Sequence, residues 1–342
     1  MTKRNIGQHP WRSFALRIGG SAAILVLLFY FLPLEQLWGT MREISPLEWA
    51  LVLAGYMAAH FLGVTKWRLM VNLAGADLRW TQGARCYFAG LFGNIFLPSL
   101  VGGDVIRAGL GLQMGRNRAG VLLGSFVDRM LDIAVMALVA GTGALLIPGA
   151  LDERSRRIFW AVVMLLGVAG AATLGVLWLL ARRGMPFKIR RKLVKVRQAG
   201  RSMARQPQYV LVAVSLGLVM QLTFIAMMAV LSQACGLVIS FRLWLFAYPL
   251  AKLSALAPVT QGGIGVREAA LAALLAPFGV AAARAVAIGL VWETIVIAGG
   301  SLGGLIALAV GRSEKAVASD QWLVADEKKN LLEPQMNTDK RR

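Results

Sequence analysis

The sequence contains very little cysteine and histidine. Its 342 residues include two Cys and two His, with no Cys-x-x-Cys pair and no cluster of the two residue types. A structural zinc site or a His-rich transition-metal centre needs about three or four such ligands in one place. We therefore expect no bound metal, and no motif in the sequence indicates another cofactor.

Charged residues are also scarce. They make up 16% of the chain, while hydrophobic residues make up 57%. An ordinary soluble domain has about 25% charged residues. A membrane-spanning helix needs roughly 20 apolar residues, and we assign full spans to six runs: 14–32, 47–65, 119–147, 158–181, 209–235 and 281–310. This pattern predicts an all-α polytopic integral membrane protein with about six full spans.

The few charges are unequal in sign. The 37 basic residues outnumber the 17 acidic ones, and ten of them lie in segment 182–208, which has no acidic residue. Positive charge is retained on the cytoplasmic side of a membrane. We therefore place this segment, the loops 66–85 and 107–118 and both chain termini on the cytoplasmic side of the plasma membrane, and we expect no nucleic acid partner. Cys86 and Cys235 then lie at opposite membrane faces, so we expect no disulfide between them.

The pattern divides the chain into a membrane domain, residues 1–311, and a polar tail, residues 312–342. The tail carries seven basic and six acidic residues, and with little apolar surface to bury we expect it to be disordered or weakly helical. Segment 182–208 fits either an amphipathic helix on the anionic inner leaflet or a solvated loop that only fixes the topology. The apolar face of such a helix would consist of Ile189, Leu193, Val196 and Met203.

One motif occurs twice in the sequence. PSLVGGDVIR, residues 98–107, recurs as PVTQGGIGVR, residues 258–267, with Pro, Gly-Gly and Arg in register. Each copy interrupts an apolar segment, and irregular backbone at membrane depth must be covered by protein or face a water-filled cavity. We therefore predict two re-entrant helical hairpins, at 86–118 and 243–271. Three full spans separate them, which predicts an inverted-topology repeat; chance recurrence in a chain with 37 Gly is the alternative.

Three charged residues interrupt the apolar run 119–147. Asp128 and Asp132 are four residues apart and share a helical face, with Arg129 beside them. Each such charge costs about 2.5–3.5 kcal/mol at the centre of a membrane helix. They must therefore pair with each other, with the motif arginines or with water. The group is either a functional polar site or an ion-pair cluster with a structural role.

The two arginines that close the motif copies, Arg107 and Arg267, indicate a phosphate site. Gly-Gly lets backbone N–H groups approach an anion, the following helix start favours negative charge, and a guanidinium matches phosphate geometry. Alternatively, Gly-Gly only permits the turn while Arg extends to the membrane interface. Lys252 is a further intramembrane charge that we assign to the same cavity. The predicted lipid- or phosphate-binding residues are Asn94, Pro98, Ser99, Gly102, Gly103, Asp104, Arg107, Asp128, Arg129, Asp132, Pro258, Gly262, Gly263, Arg267, Glu268 and Glu293.

Three motifs follow one another along the chain: Asn94-x-x-x-Pro98-Ser99-x-x-Gly102-Gly103-Asp104-x-x-Arg107, Asp128-Arg129-x-x-Asp132 and Pro258-x-x-x-Gly262-Gly263-x-Gly265-x-Arg267-Glu268. Over about residues 10–311 the chain thereby resembles the lysylphosphatidylglycerol synthase transmembrane, or flippase-like, family. That family usually has Glu at the position of Asp128, a change that keeps the charge and shortens its reach. Its best-known members add a cytoplasmic aminoacyl-transferase domain, whereas only 31 residues follow the last span here. The resemblance therefore implies the activity of the membrane domain, which is lipid flipping, and does not imply the transfer of a lysyl group.

These features favour a lipid translocase, and transport rather than enzymatic chemistry. Such a protein moves a phospholipid, or a polyprenyl lipid or glycolipid, between leaflets through a central polar cavity. The expected partners are lipids with anionic head groups. The sequence is also compatible with a homo-oligomer, or with a partner protein in a lipid or glycan pathway. The sequence contains no nucleotide-binding motif, so we do not expect this chain to drive transport with ATP.

Two other functions stay open. Asp128-x-x-x-Asp132 has the form of the aspartate pair with which intramembrane transferases hold a Mg²⁺–diphosphate, although a second Asp-rich motif is missing. The chain could also be a non-catalytic partner in a lipid or glycan assembly system.

Overall fold

A computed structural model describes residues 39, 42–97, 102–147, 194, 198–203, 205–256 and 263–338, with side chains described as far as residue 313 except that of Phe96. Within these residues the regular structure is helical, without a strand. The predicted spans 14–32 and 158–181 lie outside the described residues.

Eight α-helices of ten or more residues make up the described part of the chain. They are α1 (Pro46–Leu73), α2 (Trp80–Phe96), α3 (Gly102–Met114), α4 (Arg118–Leu145), α5 (Pro207–Ala234), α6 (Phe241–Ser254), α7 (Val266–Leu275) and α8 (Ala282–Thr338). A 3₁₀ turn, Ala276–Phe278, follows α7. Helices α1, α4 and α5 each have 28 residues.

The helices form the same series twice. In each half a long helix is followed by two short helices and then by another long one, so that α1–α4 correspond in order to α5–α8. The fourth helix of each half packs against the second helix of the other half, and the two first helices pack against each other. The repeat detected in the motif therefore extends over four helices, and the packing between the halves is reciprocal.

Three of the described helices are long and apolar enough to cross a membrane: α1, α5 and residues Ala282–Ser313 of α8. They correspond to the predicted spans 47–65, 209–235 and 281–310. Helix α4 matches the predicted span 119–147 in length, but it differs from these three helices in having three charged residues near its centre. The six-span count, the inverted orientation and the re-entrant insertion stay predictions.

Helix α1 is longer than the sequence analysis predicted. It begins at a capping box in which the Ser45 hydroxyl accepts from the Glu48 N–H while the Glu48 carboxylate accepts from the Ser45 N–H, with Pro46 at the first helical position. It then continues past residue 65 to Leu73. The assignment of Lys66 to a cytoplasmic loop was therefore wrong, because this side chain lies inside the helix bundle and is 1% exposed.

The first motif copy joins two helices that pack closely. The Gly103 N–H donates to the Asn94 Oδ1 at 2.9 Å. A Cβ added to Gly103 would overlap the Gly90 carbonyl and the Asn94 side chain, so only glycine allows α2 and α3 to approach this closely. Helices α6 and α7 also pack together around the second copy, where Gly263 and Gly265 have φ values of 82° and 88°. Each copy is thus a helix–break–helix unit.

The structure describes parts of two further segments for which the sequence analysis made predictions, 182–208 and the tail 312–342. Helix α8 continues to Thr338, so residues 312–338 of the tail are helical. Residues 198–203 are helical as well, and Met203 is buried beside Met70 and Leu73. The other residues of that predicted apolar face lie outside the described residues. Cys86 and Cys235 are both buried, and neither forms a disulfide.

Candidate functional site

The two halves enclose one polar cavity of about 140 Å³. This is about ten times the 10–15 Å³ that one water molecule needs on the same measure. All eight helices or the turns beside them contribute lining residues. Its charged lining consists of Asp104, Arg107, Arg129, Asp132, Lys252 and Arg267, so four cations face two carboxylates there.

Most of the predicted site residues lie at this cavity. Seven of them line it: Asn94, Gly103, Asp104, Arg107, Arg129, Asp132 and Arg267. Asp128, Glu268 and Glu293 are buried and form ion pairs with lining cations. Gly102 packs against Leu97 at the start of α3, and Gly263 is buried against Ala255. Pro98, Ser99, Pro258 and Gly262 lie outside the described residues.

The first charged cluster is centred on Asp128 and a lysine of α1. The Lys66 Nζ lies 2.6 Å from the Asp128 Oδ1 and 2.8 Å from the Asp132 Oδ1, so that one ammonium bridges both aspartates of α4. The Arg107 Nη2 lies 3.4 Å from the Asp128 Oδ2. Asp128 is fully buried. Of the partners that the sequence analysis left open for Asp128, the first motif arginine is therefore in contact with it.

Asp104 extends this cluster to the cavity surface. Its Oδ1 accepts from the Arg107 Nη2 at 2.8 Å, and its Oδ2 lies 3.3 Å from the Arg129 Nε. The cluster of Lys66, Asp104, Arg107, Asp128, Arg129 and Asp132 therefore contains three cations and three carboxylates. Its formal charge is zero, which lowers the cost of placing it at membrane depth.

Two aromatic rings fix the guanidinium of Arg107. Its Cζ lies 5.3 Å from the centre of the Trp67 ring and 5.2 Å from that of Tyr87, both within cation–π distance. A guanidinium against ring faces keeps the donors at its edge available. Two acids share the Nη2, while the Nε has no hydrogen-bond partner among the described residues.

The second charged cluster belongs to the other half. The Arg267 Nη2 donates to the Glu268 Oε1 at 2.8 Å and also to the Glu293 Oε2. Glu293 follows Asp132 by 161 residues, and Arg267 follows Arg107 by 160. In each half the motif arginine therefore pairs with an acid of the fourth helix, Asp128 in the first half and Glu293 in the second.

One Gly-Gly N–H group that we expected to face an anion has a partner within the protein, and so does the N–H of Gly265, which follows the second Gly-Gly pair. The Gly103 N–H donates to Asn94, as described above, and the Gly265 N–H donates to the Glu268 Oε2 at 2.6 Å. These two N–H groups are therefore occupied in this structure. The side chains, rather than these amides, supply the accessible donors.

Several cavity-lining residues carry buried polar atoms without a hydrogen-bond partner among the described residues. They are the His60 Nε2, Asp104 Oδ2, Arg107 Nε, Arg129 Nη2 and Gln221 Nε2. His60 and Gln221 are 161 residues apart and so occupy equivalent places in the two halves. A buried polar group without a partner costs about 1–3 kcal/mol. A ligand rich in acceptor oxygens would satisfy the unpaired donors of Arg107, Arg129 and Gln221.

The sequence analysis missed Lys66, His60 and Gln221. Lys66 was assigned to a loop because two basic residues, Lys66 and Arg68, end the apolar run. The start signal at Ser45, Pro46 and Glu48, together with apolar residues on both sides of Lys66, could have placed it inside a helix. For His60 and Gln221 the only signal is a polar residue within an apolar helix.

The sequence model of the lysylphosphatidylglycerol synthase TM region matches residues 14–304. The chain belongs to this family. Members share a membrane domain associated with lipid-related functions, which agrees with the apolar helices and the buried polar cavity. A comparison with curated proteins finds no match.

The family match covers every residue of the cavity. All the described lining residues, from Tyr56 to Val296, fall within 14–304. The part of α8 beyond residue 304 lies outside the matched region. Among the described residues, no three His, Cys, Asp or Glu side chains come together in an arrangement that could hold a metal ion.

Proposed function

We propose that this protein is a lipid translocase that moves a phospholipid, or a polyprenyl lipid or glycolipid, between membrane leaflets. The observation that carries the proposal is a cavity lined by residues of both halves, with buried donors on Arg107, Arg129 and Gln221 that have no hydrogen-bond partner among the described residues. Repeated halves that meet at a central site are typical of proteins that expose one site alternately to the two sides.

The lining favours a phosphate-bearing head group. Four cations and two carboxylates line the cavity, and the buried partners Lys66, Asp128, Glu268 and Glu293 bring the whole site to five cations and five carboxylates. The donors of Arg107, Arg129 and Gln221 that lack a hydrogen-bond partner among the described residues favour a ligand with acceptor atoms, and phosphate oxygens supply them. A cavity of about 140 Å³ is close to the 150 Å³ of an engineered cavity that binds benzene. This volume suits a head group whose acyl or prenyl chains stay in the bilayer.

Transport is favoured over chemistry at the aspartate pair. A Mg²⁺-dependent transferase would need the carboxylates of Asp128 and Asp132 to hold the cation. The Lys66 ammonium lies between them, 2.6 Å and 2.8 Å from the two carboxylates, and occupies the position that such a cation would take. An ion pair of this kind supports a charge-compensated transport cavity.

The inverted-repeat prediction supplies a mechanism for the proposed transport. If the two helix–break–helix units enter from opposite sides, Arg107 meets a lipid phosphate arriving from the cytoplasmic leaflet and Arg267 meets one from the outer leaflet. Both side chains line the same cavity. One bound head group can then pass from one arginine to the other. The proposed setting is a plasma membrane with both chain termini in the cytoplasm.

The test is uptake of a fluorescent anionic phospholipid in proteoliposomes of known orientation, with the probe added to one leaflet at a time. A charge-assisted hydrogen bond contributes about 1.5–3 kcal/mol, or roughly 10- to 150-fold in affinity. We expect Arg107→Gln to weaken capture from the cytoplasmic leaflet and Arg267→Gln to weaken capture from the outer leaflet.

Arg116→Gln is the matched control because Arg116 is an exposed arginine outside the cavity. It should transport lipid at the wild-type rate. Full activity in both directions for the Arg107→Gln, Arg267→Gln double variant would eliminate the phosphate-binding role of these arginines. Wild-type liposomes no more active than protein-free ones would eliminate translocation.

A further inference from the structure

Lys252 is held differently from the other cations of the cavity. Its Nζ lies 4.5 Å from the centre of the Phe224 ring and 5.9 Å from that of Tyr248, within the roughly 6 Å of a cation–π contact. The ammonium also donates to the Gln221 Oε1 at 3.3 Å. No carboxylate of the described residues lies within ion-pair distance of it. Aromatic faces therefore hold this ammonium in place of an acid.

The rings around Lys252 belong to an aromatic wall of the cavity. Tyr56 and Phe224 lie 5.5 Å apart between ring centres, and Tyr248 and Trp292 lie 5.6 Å apart. All four residues line the cavity. Aromatic walls of this kind are used by proteins to bind the ammonium groups of ligands. Here the ammonium that occupies the wall is the protein's own.

This arrangement is present in only one half of the repeat. At an offset of 161 residues, Tyr248 corresponds to Tyr87, but Lys252 corresponds to Leu91 and Phe224 to Gly63. In the first half the Tyr87 side chain fills the space beside Gly63. The common helix packing of the two halves therefore does not require a lysine and a phenylalanine here. Ligand binding therefore explains Lys252 and Phe224 better than helix packing does.

We propose that Lys252 is a specificity-determining residue that restricts the cavity to anionic head groups without an amine. The inference rests on the proposed lipid translocation and names its substrate class. A head-group ammonium would have to displace Lys252 from Phe224 and Tyr248. A lipid phosphate whose head group carries only hydroxyl or phosphate oxygens does not meet this obstacle. The lysyl lipid in the family's name carries amines, and we expect this chain to exclude it.

The test compares three lipids with the same labelled acyl chain: phosphatidylglycerol, phosphatidylethanolamine and lysylphosphatidylglycerol. Transport is measured in proteoliposomes. Binding is measured separately, as the rise in the thermal midpoint of detergent-solubilised protein on addition of short-chain forms of each lipid. The variants are Lys252→Met, which empties the aromatic wall, and Lys252→Arg, which keeps a cation there. Lys252→Gln keeps a donor for Gln221 and replaces the Met variant if that one fails to fold.

We expect the wild type to favour phosphatidylglycerol over both amine-bearing lipids. In Lys252→Met this preference should fall by about 30-fold, which is the factor that one desolvated cation–π contact contributes. The fall should come mainly from stronger binding and faster transport of the two amine-bearing lipids. Lys252→Arg should keep the wild-type preference. Arg242→Met is the matched control, because Arg242 is an exposed cation of the same helix, and it should behave as the wild type.

The two assays separate the two proposals. If the wild type binds with the expected preference and Lys252→Met loses it, but no lipid crosses the bilayer, the selectivity stands and translocation fails. If lipids cross but Lys252→Met and Lys252→Gln keep the wild-type preference, translocation stands and the role of Lys252 is overturned. If the wild type neither binds nor moves any of the lipids, both proposals are overturned.

Discussion

Replacing Lys66 by methionine should destabilise the protein more than any exposed charge substitution. Its ammonium bridges Asp128 and Asp132 at 2.6 Å and 2.8 Å, with its own side chain 2% exposed. Removing one partner of a buried ion pair costs about 3–5 kcal/mol, because a buried charge is left uncompensated. We expect the lower end of this range, about 3 kcal/mol, because Asp128 keeps its contact with Arg107.

The assay is thermal unfolding of purified protein in a mild detergent. At about 2 °C for each kcal/mol in a large chain, Lys66→Met should lower the midpoint by about 6 °C. The matched control is Arg116→Met, which breaks a 3.1 Å pair with Asp77 whose side chains are 82% and 68% exposed. Exposed pairs contribute less than about 1 kcal/mol, so the control should change the midpoint by about 2 °C at most.

A double variant distinguishes charge imbalance from loss of packing. In Lys66→Met, Asp132→Asn the cluster has equal numbers of cations and carboxylates again, so this protein should be more stable than Lys66→Met alone. If the double variant is no more stable than the single one, or if Lys66→Met unfolds no earlier than Arg116→Met, the electrostatic reasoning is wrong.

Three further results are expected. Arg116→Cys should react with an impermeant thiol reagent from the cytoplasm, and Arg242→Cys should react only from outside, because both positions are exposed. Labelling of both cysteines from the same face would contradict the inverted repeat. Asp132→Asn should abolish lipid uptake with a midpoint within about 2 °C of wild type, since Lys66 keeps its 2.6 Å pair with Asp128; normal uptake would leave the cluster a structural role alone. Gly103→Ala should lower the midpoint strongly, because its Cβ would overlap backbone of α2, and a wild-type midpoint would contradict that packing.

Helix positions could be predicted where hydropathy alone decides them. The predicted span 209–235 differs from Pro207–Ala234 by two residues or fewer at each end, because no charge interrupts the apolar run. The C-terminal end of helix α1 was predicted eight residues too early because Lys66 was taken as its cytoplasmic end. The sequence alone does not distinguish a lysine inside a helix bundle from a lysine at the membrane surface. The difference depends on whether a neighbouring helix supplies carboxylates.

The composition of the site could be predicted better than its pairings. Charges at membrane depth need partners, and the contact between Asp128 and Arg107 is one of the alternatives that this requirement left open. It did not indicate that Arg267 pairs with Glu293 rather than with the α4 aspartates, since that depends on which helices are neighbours. The contact between Tyr248 and Lys252 was accessible from their spacing of four residues. The contact with Phe224 was not, because it joins two different helices.

The pair between Lys66 and Asp128 also constrains how the chain is made. The two residues are 62 positions apart, and a ribosome adding about 5–20 residues per second reaches Asp128 roughly 3–12 s after Lys66. During that interval α1 carries an ammonium whose acceptors on α4 have not yet been synthesised. Until α4 is made, this ammonium makes the insertion of α1 less favourable by up to about 3 kcal/mol, a cost that the pairing with Asp128 and Asp132 then offsets.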